Sequence, residues 1–154
     1  MSDWNPLFTV LTSILVTLVT AWITVELALR RFKSEKWFER RLDAYTRIIE
    51  SLHHMKSATA RQIRAEERGI EIPSNAEAEL IELYGKGLAD LRRLTDMGAL
   101  VFSSEAIVVL EKLNEDLKAA TQEVSWWGHL DMEFEAINKC LKEIGVIAKR
   151  DLNA

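Results

Sequence analysis

Apolar positions along this chain follow two patterns. From Leu7 to Val25, nineteen consecutive residues carry no charge. From about residue 34 onward, apolar residues recur every three or four positions, interrupted by glycines, a proline and short polar runs. The first pattern spans about 28 Å as a helix at ~1.5 Å per residue, close to the apolar thickness of a bilayer. The second marks amphipathic helices, each with one face to bury.

Four such helices are expected after the uncharged run. The first covers 34–68, with Trp37, Phe38, Leu42, Tyr45, Ile49, Leu52, Met55 and Ile63 on its stripe. No Gly or Pro lies between residues 7 and 68, so this helix is expected to continue directly from the anchor. Gly69 and Pro73 end it, and Ser74 with Glu77 reads as a capping box opening a second helix to about Thr95. Its stripe is Leu80, Tyr84, Leu88, Leu91 and Leu94. After Gly98, Ser103 or Ser104 caps a third helix with Glu105 in its first turn and Ala106, Leu110, Leu113, Leu117, Ala120 and Val124 on one face. Trp126, Trp127 and Gly128 read as a break, and a fourth helix is expected from Asp131 with Phe134, Ile137, Leu141, Ile144 and Ala148 facing inward. Short connections favour antiparallel neighbours. The expected fold is all-α: a short external tail (1–6), one transmembrane helix (7–29) and an antiparallel four-helix cytoplasmic bundle (30–154).

Charge sets the orientation. Asp3 and Trp4 precede the uncharged run, whereas Arg30, Arg31, Lys33, Lys36, Arg40 and Arg41 follow it against only Glu35 and Glu39. The positive-inside rule then places the N-terminus outside and the helical domain in the cytoplasm, with Arg30, Arg31, Lys33, Arg40 and Arg41 at the membrane surface. A cleaved signal peptide would carry its positive charge first. Trp4 and Trp22 suit the two interfaces, and Glu26 is placed to pair with Arg30 one turn later.

One side of the uncharged run carries Thr9, Thr12, Ser13, Thr17, Thr20 and Thr24 within an arc of about 140° at ~100° per residue. Three readings are open: hydroxyls bonding their own backbone one turn back, a face for self-association, or a polar lining in an oligomer.

Composition removes several classes of function. The net charge of −4 and the interleaved signs exclude a strongly basic domain for duplex nucleic acid. A single cysteine, Cys140, supports no disulfide framework and reads as a buried thiol. His53 and His54 are adjacent and so face apart, and Glu50 with His53 is one Glu-x-x-His pair where a di-metal bundle needs two. No phosphate loop, nucleophile elbow or Cys-x-x-Cys is present, so neither catalysis nor a metal or other cofactor is expected.

Up-down packing would gather Arg40, Arg41, Arg92, Arg93, Lys149 and Arg150 at the membrane-proximal end. The distal end would hold Arg61, Arg64 and Arg68 with Trp126, Trp127 and His129. The distal set has two readings. Either the arginines pair with Glu66, Glu67, Glu77 and Glu79 while the tryptophans serve packing, or the set binds an anion or nucleotide through forked donors and an indole plate.

Three stretches carry a resemblance. They are Glu35–Arg41 with Ala44-Tyr45, Ile48–Glu50, Leu52-His53 and Met55-Lys56; Gly98-Ala99 with Phe102-Ser103 and Glu105-Ala106; and Trp127 with His129–Asp131, Asn138–Glu143 and Ala148–Leu152. Together they resemble a group of small bacterial proteins with one N-terminal span and a helical cytoplasmic domain. The resemblance covers nearly the whole chain and implies a bacterial inner-membrane location, but it supplies no catalytic residues. In layout alone the chain is similar to membrane-bound defence effectors linked to type III CRISPR systems, in which a cytoplasmic domain binds a cyclic oligonucleotide and disturbs the bilayer.

The functional expectation is a membrane-anchored, homo-oligomeric effector or sensor. Its helical domain would bind an anionic ligand such as a cyclic nucleotide through Arg61, Arg64, Arg68, Trp126, Trp127 and His129, and pass the change to the transmembrane helices. The alternative is a membrane-tethered adaptor or assembly protein that docks a protein partner through its bundle.

Overall fold

The computed structural model describes residues 5–98 and 100–153, with side chains for Ser13 and from Leu15 onward. The described residues form four α-helices: α1 Asn5–Arg68, α2 Ser74–Gly98, α3 Ser104–Ala120 and α4 Trp126–Asn153. The fold is an all-α helical bundle, and α1 continues without a break from the N-terminal segment, as the absence of Gly and Pro implied. The chain divides into two compact units, Met1–Glu39 and Arg40–Ala154.

The first unit is the N-terminal part of α1. Leu15, Leu18, Trp22, Val25, Leu29 and Phe32 are exposed along it. Among the described residues no helix is long and apolar enough to cross a membrane. The span expected over 7–29 includes residues 7–12 and 14, whose side chains lie outside those described, as does Trp4.

In the second unit, contacts between helices fix their directions. Tyr45 in α1 meets Asp151 in the last turn of α4, Thr59 meets Glu133, and Glu66 meets Trp126 at the start of α4. As the α1 number rises the α4 number falls, so the two helices are antiparallel. Glu105, at the start of α3, pairs with Arg150 near the end of α4 at 2.8 Å, so these two are antiparallel as well.

The core is built from Tyr45, Ile48, Leu52 and Met55 of α1, Leu91 of α2, Ala106, Leu110, Leu113 and Leu117 of α3, and Ile137, Cys140, Ile144 and Ile147 of α4. Two expected stripes are corrected at their ends. Trp37, Phe38 and Leu42 are exposed, and burial on α1 begins only at Tyr45, where the ring packs on Phe102 at 4.9 Å between centroids. Val124 is wholly exposed because α3 stops at Ala120, leaving it in the connection to α4.

Helix ends explain the remaining differences. Gly69, at φ +60°, closes α1: its N–H bonds the Glu66 carbonyl at 3.1 Å and that of Ile70 bonds Ala65 at 2.9 Å, the Schellman pattern. The capping box expected at Ser74 is not what opens α2. Pro73 takes the cap position, its carbonyl accepting from the Glu77 N–H at 2.9 Å, and Ser74 is the first helical residue. Ser103, not Ser104, caps α3, accepting from the Ala106 N–H at 3.4 Å. The fourth helix starts at Trp126, five residues earlier than expected. Ser125 caps it: Oγ accepts from the Gly128 N–H at 3.2 Å and its carbonyl from the His129 N–H at 2.8 Å. Gly128 therefore lies in a capped first turn instead of marking a break.

Candidate functional site

The distal end of the second unit is where the last turns of α1, the connection to α2 and the first turn of α4 lie together. Arg61, Arg64 and Arg68 fall three and four residues apart, which aligns them on one side of α1. With Ala65 and Ile70 they line a shallow, open groove. Arg64 donates from Nε to its own Ala60 carbonyl at 3.0 Å. Among the described residues no carboxylate lies within ion-pair distance of these three guanidinium groups, whereas Arg30, Arg47 and Arg93 each meet one and Arg150 meets two.

The Glu66 carboxylate instead accepts the indole N–H of Trp126 at 3.0 Å. It lies in a second groove with Glu71, Glu77, Ile72 and Trp126, and this groove shares Ala65 and Ile70 with the first. Two grooves of opposite charge thus flank one apolar ridge, on which Ile70 is 58% exposed.

The early start of α4 places Trp126 and His129 one turn apart. Their rings stack at 5.6 Å and 23°. His129 Nδ1 sits 2.8 Å from the Ala120 carbonyl, which can only accept, so Nδ1 carries the hydrogen and the ring is held against the end of α3. The structure therefore groups five of the six expected residues into two sets. The three arginines share one groove, and Trp126 with His129 forms a stacked pair whose indole lines the acidic groove. Trp127 is exposed and lines neither.

At the opposite end of the second unit, Tyr45 donates to Asp151 Oδ2 at 2.5 Å, and Arg150 reaches both Glu105 at 2.8 Å and Asp151 at 3.2 Å. Burial pushes Asp151 up, but hydrogen bonds from Ser103, Tyr45 and Arg150 outweigh it and hold the carboxyl below its ordinary range. Arg41 is partly buried, with its guanidinium 3.5 Å from the Asp151 carbonyl. In the first unit Arg30 pairs with Glu26 at 3.0 Å and Lys36 with Glu39 at 2.6 Å, while Arg31, Lys33 and Arg40 are exposed. Thr17, Thr20 and Thr24 each donate to the carbonyl four residues back at 2.8 Å, and Ser13 is exposed; the side chains of Thr9 and Thr12 lie outside those described.

One polar cluster was not foreseen. Glu133 of α4 is 8% exposed and accepts from Tyr84 of α2 and from Thr59 of α1, the latter at 3.3 Å. Burial and then the Glu133 hydrogen bond push the Tyr84 hydroxyl far above its ordinary value. The signal was present in the sequence: Glu133 sits at the core-facing spacing between Leu130 and Ile137. Cys140 is buried, and burial, with Glu143 and Asp116 nearby, pushes its thiol up to about 12, which suppresses the thiolate at neutral pH. Among the described residues no cluster of His, Cys, Asp and Glu forms a metal-binding arrangement. No family model matches the chain, and no curated protein or solved structure is found to be similar to it.

Proposed function

We propose that this chain is a membrane-anchored helical sensor or effector that receives an anionic ligand on Arg61, Arg64 and Arg68. The observation that carries the reading is the row of three guanidinium groups with no carboxylate partner among the described residues, beside the exposed Ile70. Forked donors in such a row suit phosphate or carboxylate groups, and an aliphatic edge suits the face of a base. A cyclic nucleotide combines both chemistries.

The anchor rests on the uncharged run Leu7–Val25 and the basic residues after it, with Arg30, Arg31 and Lys33 on the cytoplasmic face. The unbroken α1 links anchor and bundle, so a ligand that favours one packing of the bundle shifts the anchor by its differential affinity for the two states. Self-association of the anchors along the Thr stripe belongs to the same proposal.

Calorimetric titration of the full-length protein in nanodiscs with cyclic di-AMP and cyclic tetra-adenylate tests the ligand. The expected result is binding that Arg64→Ala abolishes without loss of helix content. Equal binding by the variant removes the site. The exposed Val124, Trp126 and Trp127 favour the second reading, an adaptor that docks a protein partner at this end. No binding of any anion, together with co-purification of one stoichiometric protein, selects it.

A further inference from the structure

The two distal grooves have opposite charge and share one ridge. Arg61, Arg64 and Arg68 line one side of Ala65 and Ile70; Glu66, Glu71 and Glu77 line the other. We infer that this surface is a self-complementary interface, and that its occupant is a second copy of the chain. In an isologous pair, residue i of one copy meets j of the other and j meets i. A two-fold axis running along the ridge therefore sets each arginine row against the partner's acidic groove. The two Ile70 side chains meet near the axis and remove an aliphatic group from water.

This extends the proposed function by naming one anionic partner of the same arginines, and it rests on that reading of the row as an anion site. It also gives the ligand a means of control. A soluble anion on Arg61, Arg64 and Arg68 competes with the second copy's carboxylates, so ligand binding and this contact exclude one another. Exposed ion pairs are individually weak, so the contact is reversible in solution, and tethering to one surface raises the effective concentration that sustains it.

Charge exchange in the full-length protein, followed by sedimentation in detergent, tests the interface. One variant carries Arg61→Glu, Arg64→Glu and Arg68→Glu; the other carries Glu66→Lys, Glu71→Lys and Glu77→Lys. All six positions are exposed, and circular dichroism checks that the fold is kept. The wild type is expected to dimerise, with the dimer weakened about tenfold or more when NaCl rises from about 50 to about 500 mM. Each variant alone is expected to lose the salt-sensitive step of association, whatever contact the anchors keep, and an equimolar mixture to regain it as a one-to-one pairing of the two variants. Cyclic tetra-adenylate added to the wild type is expected to shift it toward monomer.

A wild type that is monomeric at about 100 µM overturns the interface, as does a dimer that neither variant disturbs. If that monomer still binds cyclic tetra-adenylate, the ligand reading stands and only the interface fails. A dimer obeying the charge-exchange pattern but indifferent to every anion supports the interface and removes the ligand reading.

Discussion

Tyr84 on α2 donates its hydroxyl hydrogen to Oε1 of Glu133 on α4, and the Thr59 hydroxyl of α1, shared between the Met55 carbonyl at 3.1 Å and the other carboxylate oxygen at 3.3 Å, brings a third helix to the same buried side chain. A buried acceptor is worth most through the donors it would otherwise strand. Glu133→Ala is expected to cost about 2–3 kcal/mol, and Glu133→Gln, which keeps an acceptor, about 1 kcal/mol. Urea denaturation followed by circular dichroism measures both, and equal losses would show that hydrogen bonding is not what matters there.

Stability is expected to fall on the alkaline side. Cys140 has its folded value raised from 9.0 to about 12, and Tyr45 and Tyr84 are raised above 10.0, in each case chiefly by burial. For an acid raised in the folded state, the native protein holds its proton after the unfolded chain has lost it. The contribution is thus complete below the unfolded value and declines as pH rises toward the folded one. The slope is about 1.4 kcal/mol per pH unit per group inside its window. Denaturation midpoints from pH 8 to about 11 should decline from about pH 9, and Cys140→Ala should flatten the first part of the decline. On the acid side Asp151 has the opposite sign, its contribution being lost as pH falls through its lowered value.

Helices α1 and α2 approach closely at Gly87. A Cβ there would lie 2.8 Å from the Ser51 carbonyl oxygen and 2.9 Å from Met55 Cγ. One contact is backbone and cannot swing aside, so Gly87→Ala is expected to destabilise the bundle by about 1–3 kcal/mol despite alanine's better helix propensity. Gly85, two residues away, has nothing within 4 Å of such a Cβ. Gly85→Ala should therefore be neutral or stabilising, and thermal melts of the pair separate packing from propensity.

Ser125 holds the first turn of α4 and with it the Trp126–His129 stack. Ser125→Ala is expected to cost about 1 kcal/mol and to loosen that turn. Tryptophan emission should become more quenchable by acrylamide, while Ser125→Asp, which restores an acceptor, returns it toward the wild-type value.

The helical order was legible because apolar spacing is a local property. Leu110, Leu113 and Leu117 had to share a face whatever they packed against. The places where the reading slipped are those where the decision belongs to a distant contact. Trp37 and Leu42 fit the stripe of α1 as well as Tyr45 does, yet both are exposed, whereas Tyr45 is buried on Phe102 and bonded to Asp151. Trp126-Trp127-Gly128 looked like a break because Gly128 weighs against helix, and Ser125 as the cap outweighed it. The arginine row could be read from its spacing. Its separation from Trp126 could not, since the indole's choice of Glu66 depends on how α4 meets the end of α1. Glu133 was visible as a charge at a core position, but its donors, Thr59 and Tyr84, lie on two other helices.

The bond between Tyr45 and Asp151 joins residues 106 positions apart, and so it orders events during synthesis. α1 and α2 emerge with their apolar faces uncovered, because the helices that bury them come last. The bundle cannot close until Asp151 has cleared the exit tunnel, and the segment left waiting with its apolar face uncovered is the one on which a chaperone would act.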